Sequence, residues 1–111
     1  MEKMEYATCP IRNVIAKFGD KWSLLVLYSL YTSENGVLRF GELHRFMSDC
    51  SQKMLSQTLR ELEKNHLIKR KIYPEVPPKV EYSLTDIGKS LMPQIEGLMS
   101  WAIANFDVFT K

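Results

Sequence analysis

The sequence predicts an α+β fold, and three observations carry that prediction. Apolar residues recur at helical spacing from about Ile11 to Leu62. After Leu67 the period changes to two: Ile68, Arg70 and Ile72 alternate with Lys69, Lys71 and Tyr73, and Val80, Tyr82 and Leu84 alternate again. From Thr85 onward the spacing is helical once more.

Each element has a local reason. Pro10 suits the first position of a helix, where its missing N–H is not needed, and Ile11, Val14, Ile15 and Phe18 give that helix one apolar face. Gly19 stops it and Asp20 caps the next. From Trp22 to Tyr31 nearly every position is apolar or aromatic, which predicts a central helix with no wet face. Ser33-Glu34-Asn35-Gly36 reads as a turn, and Val37-Leu38-Arg39 has room only for a short strand. Phe40, Leu43, Phe46 and Met47 mark a short helix that Ser48-Asp49-Cys50 breaks. Ser51 caps another, running to about Lys64 or Asn65. The two alternating runs form a hairpin, with Pro74-Glu75-Val76-Pro77-Pro78 as a stiff tip, since proline cannot donate to a central ladder. Thr85 caps the last helix, whose stripe is Ile87, Leu91, Ile95, Leu98 and Ala102; Pro93 is expected to kink or restart it. Two short helices joined by a tight turn and followed by a hairpin make the plan of a winged helix-turn-helix. Residues 1–111 are expected to form a single domain of this kind, with N- and C-terminal helices for dimerisation.

Composition narrows the function classes. An apolar fraction of 45% and five each of Gly and Pro fit a soluble globular protein. No apolar run approaches the roughly 18 residues that a membrane span needs, so no membrane association is expected. The first residues, Met1-Glu2-Lys3-Met4-Glu5, lack the apolar core of a secretion signal, and the expected location is the cytoplasm. Two cysteines make no disulfide framework. The net charge of +2 is unevenly spread: residues 52–82 carry seven basic and four acidic side chains, whereas residues 1–51 carry six of each. The positive excess in the middle is what a polyanion partner requires, although a solvated surface would carry it equally well.

The helix beginning at Ser51 is two-faced. At about 100° per residue, Leu55, Leu59, Leu62 and the flanking Thr58 fall on one side, and Lys53, Gln57, Arg60 and Lys64 on the other, with Gln52 and Ser56 beside them. Long donors on one face suit a major groove: Gln pairs with adenine, Arg or Lys with guanine, Ser with either. A recognition helix points its N-terminal residues at base edges, which favours Gln52, Lys53, Ser56 and Gln57. Arg60 could reach a base or a phosphate, and Lys64 could equally offset the helix dipole. Lys69 and Lys71 share one face of the hairpin and Lys79 stands at its tip, as expected of a wing laid along phosphates. The competing explanation is strand-edge lysines that block aggregation.

The chain resembles the HxlR-type family of bacterial and archaeal transcriptional regulators. The segments that carry the resemblance are Gly19-Asp20-Lys21-Trp22, Arg39-Phe40-Gly41-Glu42-Leu43, Ser51 to Leu62 and Tyr73 to Thr85. The resemblance implies a sequence-specific regulator acting as a homodimer on double-stranded DNA. It places the recognition helix at Ser51–Lys64 and the wing at Ile68–Leu84, and makes Arg39 a phosphate contact. It also singles out Cys9 as a candidate sensor of oxidants or electrophiles, because some members use a cysteine just before the first helix. A helix N-terminus and Arg12 would favour the Cys9 thiolate. Three departures stand out: the family pattern often has Gly at His66 and an aliphatic residue at Cys50, and the link at Thr32 to Gly36 is slightly long. Either Asn65 or His66 must then supply a left-handed helix cap, and Cys50 reads as a small core residue.

The last helix has more apolar residues than one face needs, so Ile11, Ile95, Leu98, Met99, Trp101, Ala102 and Phe106 are expected to form a dimer interface. No cofactor is expected and no enzyme: there is no phosphate-binding glycine loop, Cys9, His44, Cys50 and His66 lack metal-ligand spacing, and Glu61 and Glu63 do not share a helix face. Two other readings of the residues stay open. One is a winged helix whose basic face docks an acidic protein. The other is a regulator released by a small-molecule effector in a dimer-interface pocket lined by Trp22, Tyr28 and Trp101.

Overall fold

The computed structural model describes residues 10–109. Its elements run α1 (Pro10–Phe18), α2 (Lys21–Thr32), β1 (Val37–Leu38), α3 (Phe40–Phe46), α4 (Gln52–Lys64), β2 (Ile68–Tyr73), β3 (Lys79–Leu84), α5 (Asp86–Ala104) and α6 (Phe106–Phe109). The sheet order is β1-β3-β2, antiparallel throughout, with Ile68 opposite Leu84 and Tyr73 opposite Lys79. This is the expected winged helix-turn-helix order, with α6 as an addition after Asn105.

The predicted caps form. Asp20 accepts from Ser23 N at 3.0 Å, Ser51 Oγ from Met54 N at 3.0 Å, and Thr85 Oγ1 from Gly88 N at 3.0 Å. Each satisfies an orphan donor of the first helical turn. Arg39 ends no strand; it is the N-cap residue of α3, and its backbone N–H donates to Glu42 Oε1 at 2.9 Å. Helix α4 closes with Leu67 N donating to Leu62 O and His66 N to Glu63 O, the paired bonds of a Schellman turn. His66 supplies the left-handed residue at φ 63°.

The core gathers Val26, Leu27 and Leu30 of α2, Leu43 and Met47 beside α3, Leu55, Leu59 and Leu62 of α4, Ile68 and Leu84 of the hairpin, and Met92 and Ile95 of α5. Cys50 lies in it at 2% exposure, as the sequence predicts. Two expectations are corrected. Helix α2 does have a wet side, where Leu25, Tyr28 and Tyr31 are exposed, because the domain covers it with α4 and α5 on only part of its circumference. Helix α5 turns Gly88, Met92 and Ile95 into the core, leaving Ile87 and Leu98 of the expected stripe exposed. Gly88 sets that rotation: a Cβ there would collide with the Leu67 carbonyl oxygen, so the helix packs on the end of α4 through bare backbone. The helix runs unbroken through Pro93.

Candidate nucleic-acid interface

The turn Met47–Ser51 sets the angle between α3 and α4. The His44 ring, stacked on Phe40 with centroids 6.3 Å apart, places Nε2 at 2.8 Å from the Cys50 carbonyl oxygen. Beneath this bond the buried Cys50 thiol has its pKa raised, first by desolvation and then by Asp49. A neutral thiol at this point packs as a small apolar group. Ser51 then starts α4 with its cap bond.

Helix α4 buries Leu55, Thr58, Leu59 and Leu62, and the Thr58 hydroxyl is satisfied by the Met54 carbonyl at 2.8 Å. Its opposite side presents Gln52, Lys53, Gln57, Arg60 and Lys64, all exposed, with Ser56 half-buried at the edge. Among the described residues, no ion pair or side-chain hydrogen bond engages Lys53, Gln57 or Arg60. Three unpartnered long donors on a helix held rigidly by its far side are arranged to bond something outside the chain.

The wing is anchored to that helix. Arg70 Nε lies 3.5 Å from Glu63 Oε2, so the charge of Arg70 is partly spent inside the molecule. Lys69 and Lys71 are exposed and share the sheet face turned away from the core. Lys79 is not at the tip: it opens β3 opposite Tyr73, half-buried, with Nζ 3.5 Å from Glu81 Oε2. The tip itself is Pro74–Pro78, where Val76 is fully exposed. Arg39 is exposed at the edge of the same sheet face; the Glu81 pKa is lowered there first by Tyr73, then by Lys79 and least by Arg39. The Tyr73 and Glu81 partnership was missed in the sequence; the period-two register of Lys71, Tyr73, Lys79 and Glu81 was the available signal.

The expected dimer residues divide. Ile95 is buried in the core, where it also borders the groove between α1, α2 and α5, and Met99 is half-buried against that core. Leu98, Trp101 and Phe106 are exposed, Ala102 is half-buried, and Ile103, Val108 and Phe109 extend the exposed apolar surface. Trp101 stacks on Phe109 at 5.9 Å, and Phe106 meets Phe109 edge-on at 6.1 Å. An open apolar groove of about 400 Å³ runs between α1, α2 and α5, lined by Ile15, Phe18, Leu24, Leu91 and Leu98 among others. Trp22, Tyr28 and Trp101 do not line this groove. The Ile11 side chain and the whole of Cys9 lie outside what is described. Among the described residues no cluster of three or more His, Cys, Asp or Glu could hold a metal, and no helix is long and apolar enough to cross a membrane.

Comparison with known proteins agrees with this geometry. Residues 17–109 match the HxlR-like helix-turn-helix family. An HTH-type transcriptional regulator of Methanothermobacter thermautotrophicus is 46% identical over 93 residues, covering 84% of this chain and 69% of that protein. YkvN of Bacillus subtilis, also an HTH-type transcriptional regulator, is 47% identical over 98 residues, covering 88% of this chain and 80% of its own length. Among solved structures, the redox regulator HypR in its reduced form superposes with a TM-score of 0.83 at 36% identity, over 92% of this chain and 98% of that one. The chain belongs to the HxlR-like helix-turn-helix family of transcriptional regulators.

Proposed function

We propose that this regulator works as a homodimer on an operator in double-stranded DNA. In this reading α4 enters the major groove, with Gln52, Lys53, Ser56 and Gln57 toward base edges and Arg60 toward a base or phosphate. Ser51 and Arg39 meet backbone phosphates, and Lys69 and Lys71 lie along the phosphates as the wing, with Lys79 behind them. The exposed apolar surface of Leu98, Trp101 and Phe106 covers the same surface of a second copy, which pairs two reading helices for a near-palindromic site. The observation that carries the reading is α4: one face locked in the core, the other bearing Lys53, Gln57 and Arg60 without partners. Likeness to HypR supports redox control, and Cys9, just ahead of α1, is the residue we assign to it.

The test is fluorescence anisotropy of reduced protein on labelled DNA from upstream of its own and neighbouring genes, with a scrambled duplex as competitor. A preference of at least about a hundredfold is expected, since specific sites are typically ~10³ or more tighter than non-specific ones. Changing Lys53, Gln57 and Arg60 together to Ala should abolish the preference. Equal, weak binding to every duplex would point to an acidic protein as the partner of the basic face.

A further inference from the structure

One sheet face of this DNA-binding protein holds an acid in the middle of its cations. Lys69, Lys71 and Tyr73 of β2 stand opposite Ser83, Glu81 and Lys79 of β3. Alternation puts all six on the face away from buried Leu38, Ile68 and Leu84. Glu81 Oε2 lies 3.5 Å from Lys79 Nζ, and the nearby Tyr73 hydroxyl is the largest influence holding the Glu81 carboxyl below its ordinary pKa. The ammonium groups of Lys71 and Lys79 each sit 4.9 Å from the centre of the Tyr73 ring. The Lys79 and Glu81 side chains are only 29% and 23% exposed, so the pair is packed in place. Arg39 adds a further positive charge nearby.

A surface shaped only to attract phosphate would leave out the carboxylate. Building on the DNA-binding reading, we infer that Glu81 is a specificity-determining residue: set beside Tyr73, it fixes the Lys79 ammonium group and cancels one positive charge on the wing, which suppresses sequence-independent binding. The reason lies in how the two kinds of complex form. On an operator the base contacts of α4 dictate the pose, and the wing meets whatever phosphates that pose presents. Off the operator there is no fixed pose, and any mobile ammonium finds a phosphate and releases a counterion. Tethering Lys79 therefore weakens off-target binding more than operator binding, and their ratio rises. Glu81 acts through Lys79 and is a positioning residue, not a DNA contact.

The experiment compares E81Q, Y73F and the parent on the upstream duplex and on the scrambled duplex, each from about 0.05 to 0.3 M salt. E81Q should bind the scrambled duplex about fivefold tighter near 0.1 M salt and steepen its log K against log salt slope by about one, as one released counterion requires. Operator affinity should change less, so discrimination falls. Y73F, which keeps the ring and loses only the hydroxyl, should move in the same direction by less. In a K79Q background, E81Q should no longer alter the slope. An unchanged slope and ratio in E81Q, or an equal loss on both duplexes with a lowered melting temperature, would overturn the inference while leaving the parent's operator preference intact. Absence of any preference in the parent would overturn the DNA-binding reading and this inference with it.

Discussion

Replacing Trp101 by Asp should split the proposed homodimer. Trp101 is 60% exposed in the single chain although it stacks on Phe109. A tryptophan side chain carries up to about 250 Å² of surface, so roughly 150 Å² remains to be covered. At about 25 cal/mol per Å² that is close to 4 kcal/mol for each copy and between 7 and 8 for the symmetric pair. Association converts only part of such area into affinity. Even one third of it, about 2.5 kcal/mol, is a change of nearly a hundredfold in the dimer dissociation constant. The buried carboxylate adds a desolvation cost in the same direction. Sedimentation equilibrium from about 0.1 to 100 µM should show the parent as a dimer across most of the range and the variant shifted to monomer. DNA affinity should fall with it, because a single half-site contributes only part of the phosphate term. Thermal melting followed by circular dichroism guards against a folding defect, since Trp101 lies outside the core. A variant that stays dimeric at micromolar concentration would show that copies meet through another surface.

Four further outcomes follow from local geometry. Gly88→Ala should cost at least about 2 kcal/mol, because its Cβ meets the Leu67 carbonyl, a backbone atom that cannot rotate away; the melting temperature should drop by about 8 °C or more. His66→Gly should raise stability by about 0.5–1 kcal/mol, since φ 63° strains a residue with a Cβ, and should leave DNA affinity unchanged in the anisotropy assay. A thiol reagent at neutral pH should label Cys50 only after unfolding, because Cys50 is buried and its thiol is pushed up; prompt labelling of Cys50 in the folded protein would refute that placement. The raised Cys50 pKa also has a sign in stability: the unfolded thiol ionises first, so stability is full below about pH 8.5 and is lost as the pH rises toward the folded value. Cys50→Ala should flatten that alkaline decline in a series of melts.

Much of the fold was legible because its signals are local. Asp20, Ser51 and Thr85 announce three helix starts, and each makes its cap bond. The change of period at Leu67 announces the hairpin, and the two faces of α4 separate by angle alone. What stayed hidden depends on contacts distant in sequence. The rotation of α5 is fixed by Gly88 against Leu67, and no periodicity within α5 reveals which of two adjacent apolar stripes meets the core. For the same reason the sequence does not reveal that Ile95 is buried in the core and Met99 packs half-buried against it. Lys79 read as a free tip because its partner Glu81 becomes visible only once the register with Tyr73 is known.

The junction at Asn65–Leu67 joins the parts that a regulator must move together. Helix α4 ends there in its Schellman turn, and strand β2 begins one residue later. Thr85, at the start of α5, bonds both carbonyls of this turn: its hydroxyl donates to His66 O at 2.6 Å and its backbone N–H to Leu67 O at 3.1 Å. Gly88 closes the gap by packing on the same Leu67 backbone. Glu63 and Arg70 tie the end of α4 to the wing from the other side. The helix that reads, the hairpin that flanks it and the helix that carries Trp101 therefore share one short stretch of backbone. Packed backbone of this kind transmits displacement rather than absorbing it. If two copies meet along α5 as proposed, a change in that contact should appear as a change in the separation and tilt of the two α4 helices. Half-site spacing on DNA is fixed near one helical turn, so a shift of a few ångströms between those helices is enough to release an operator.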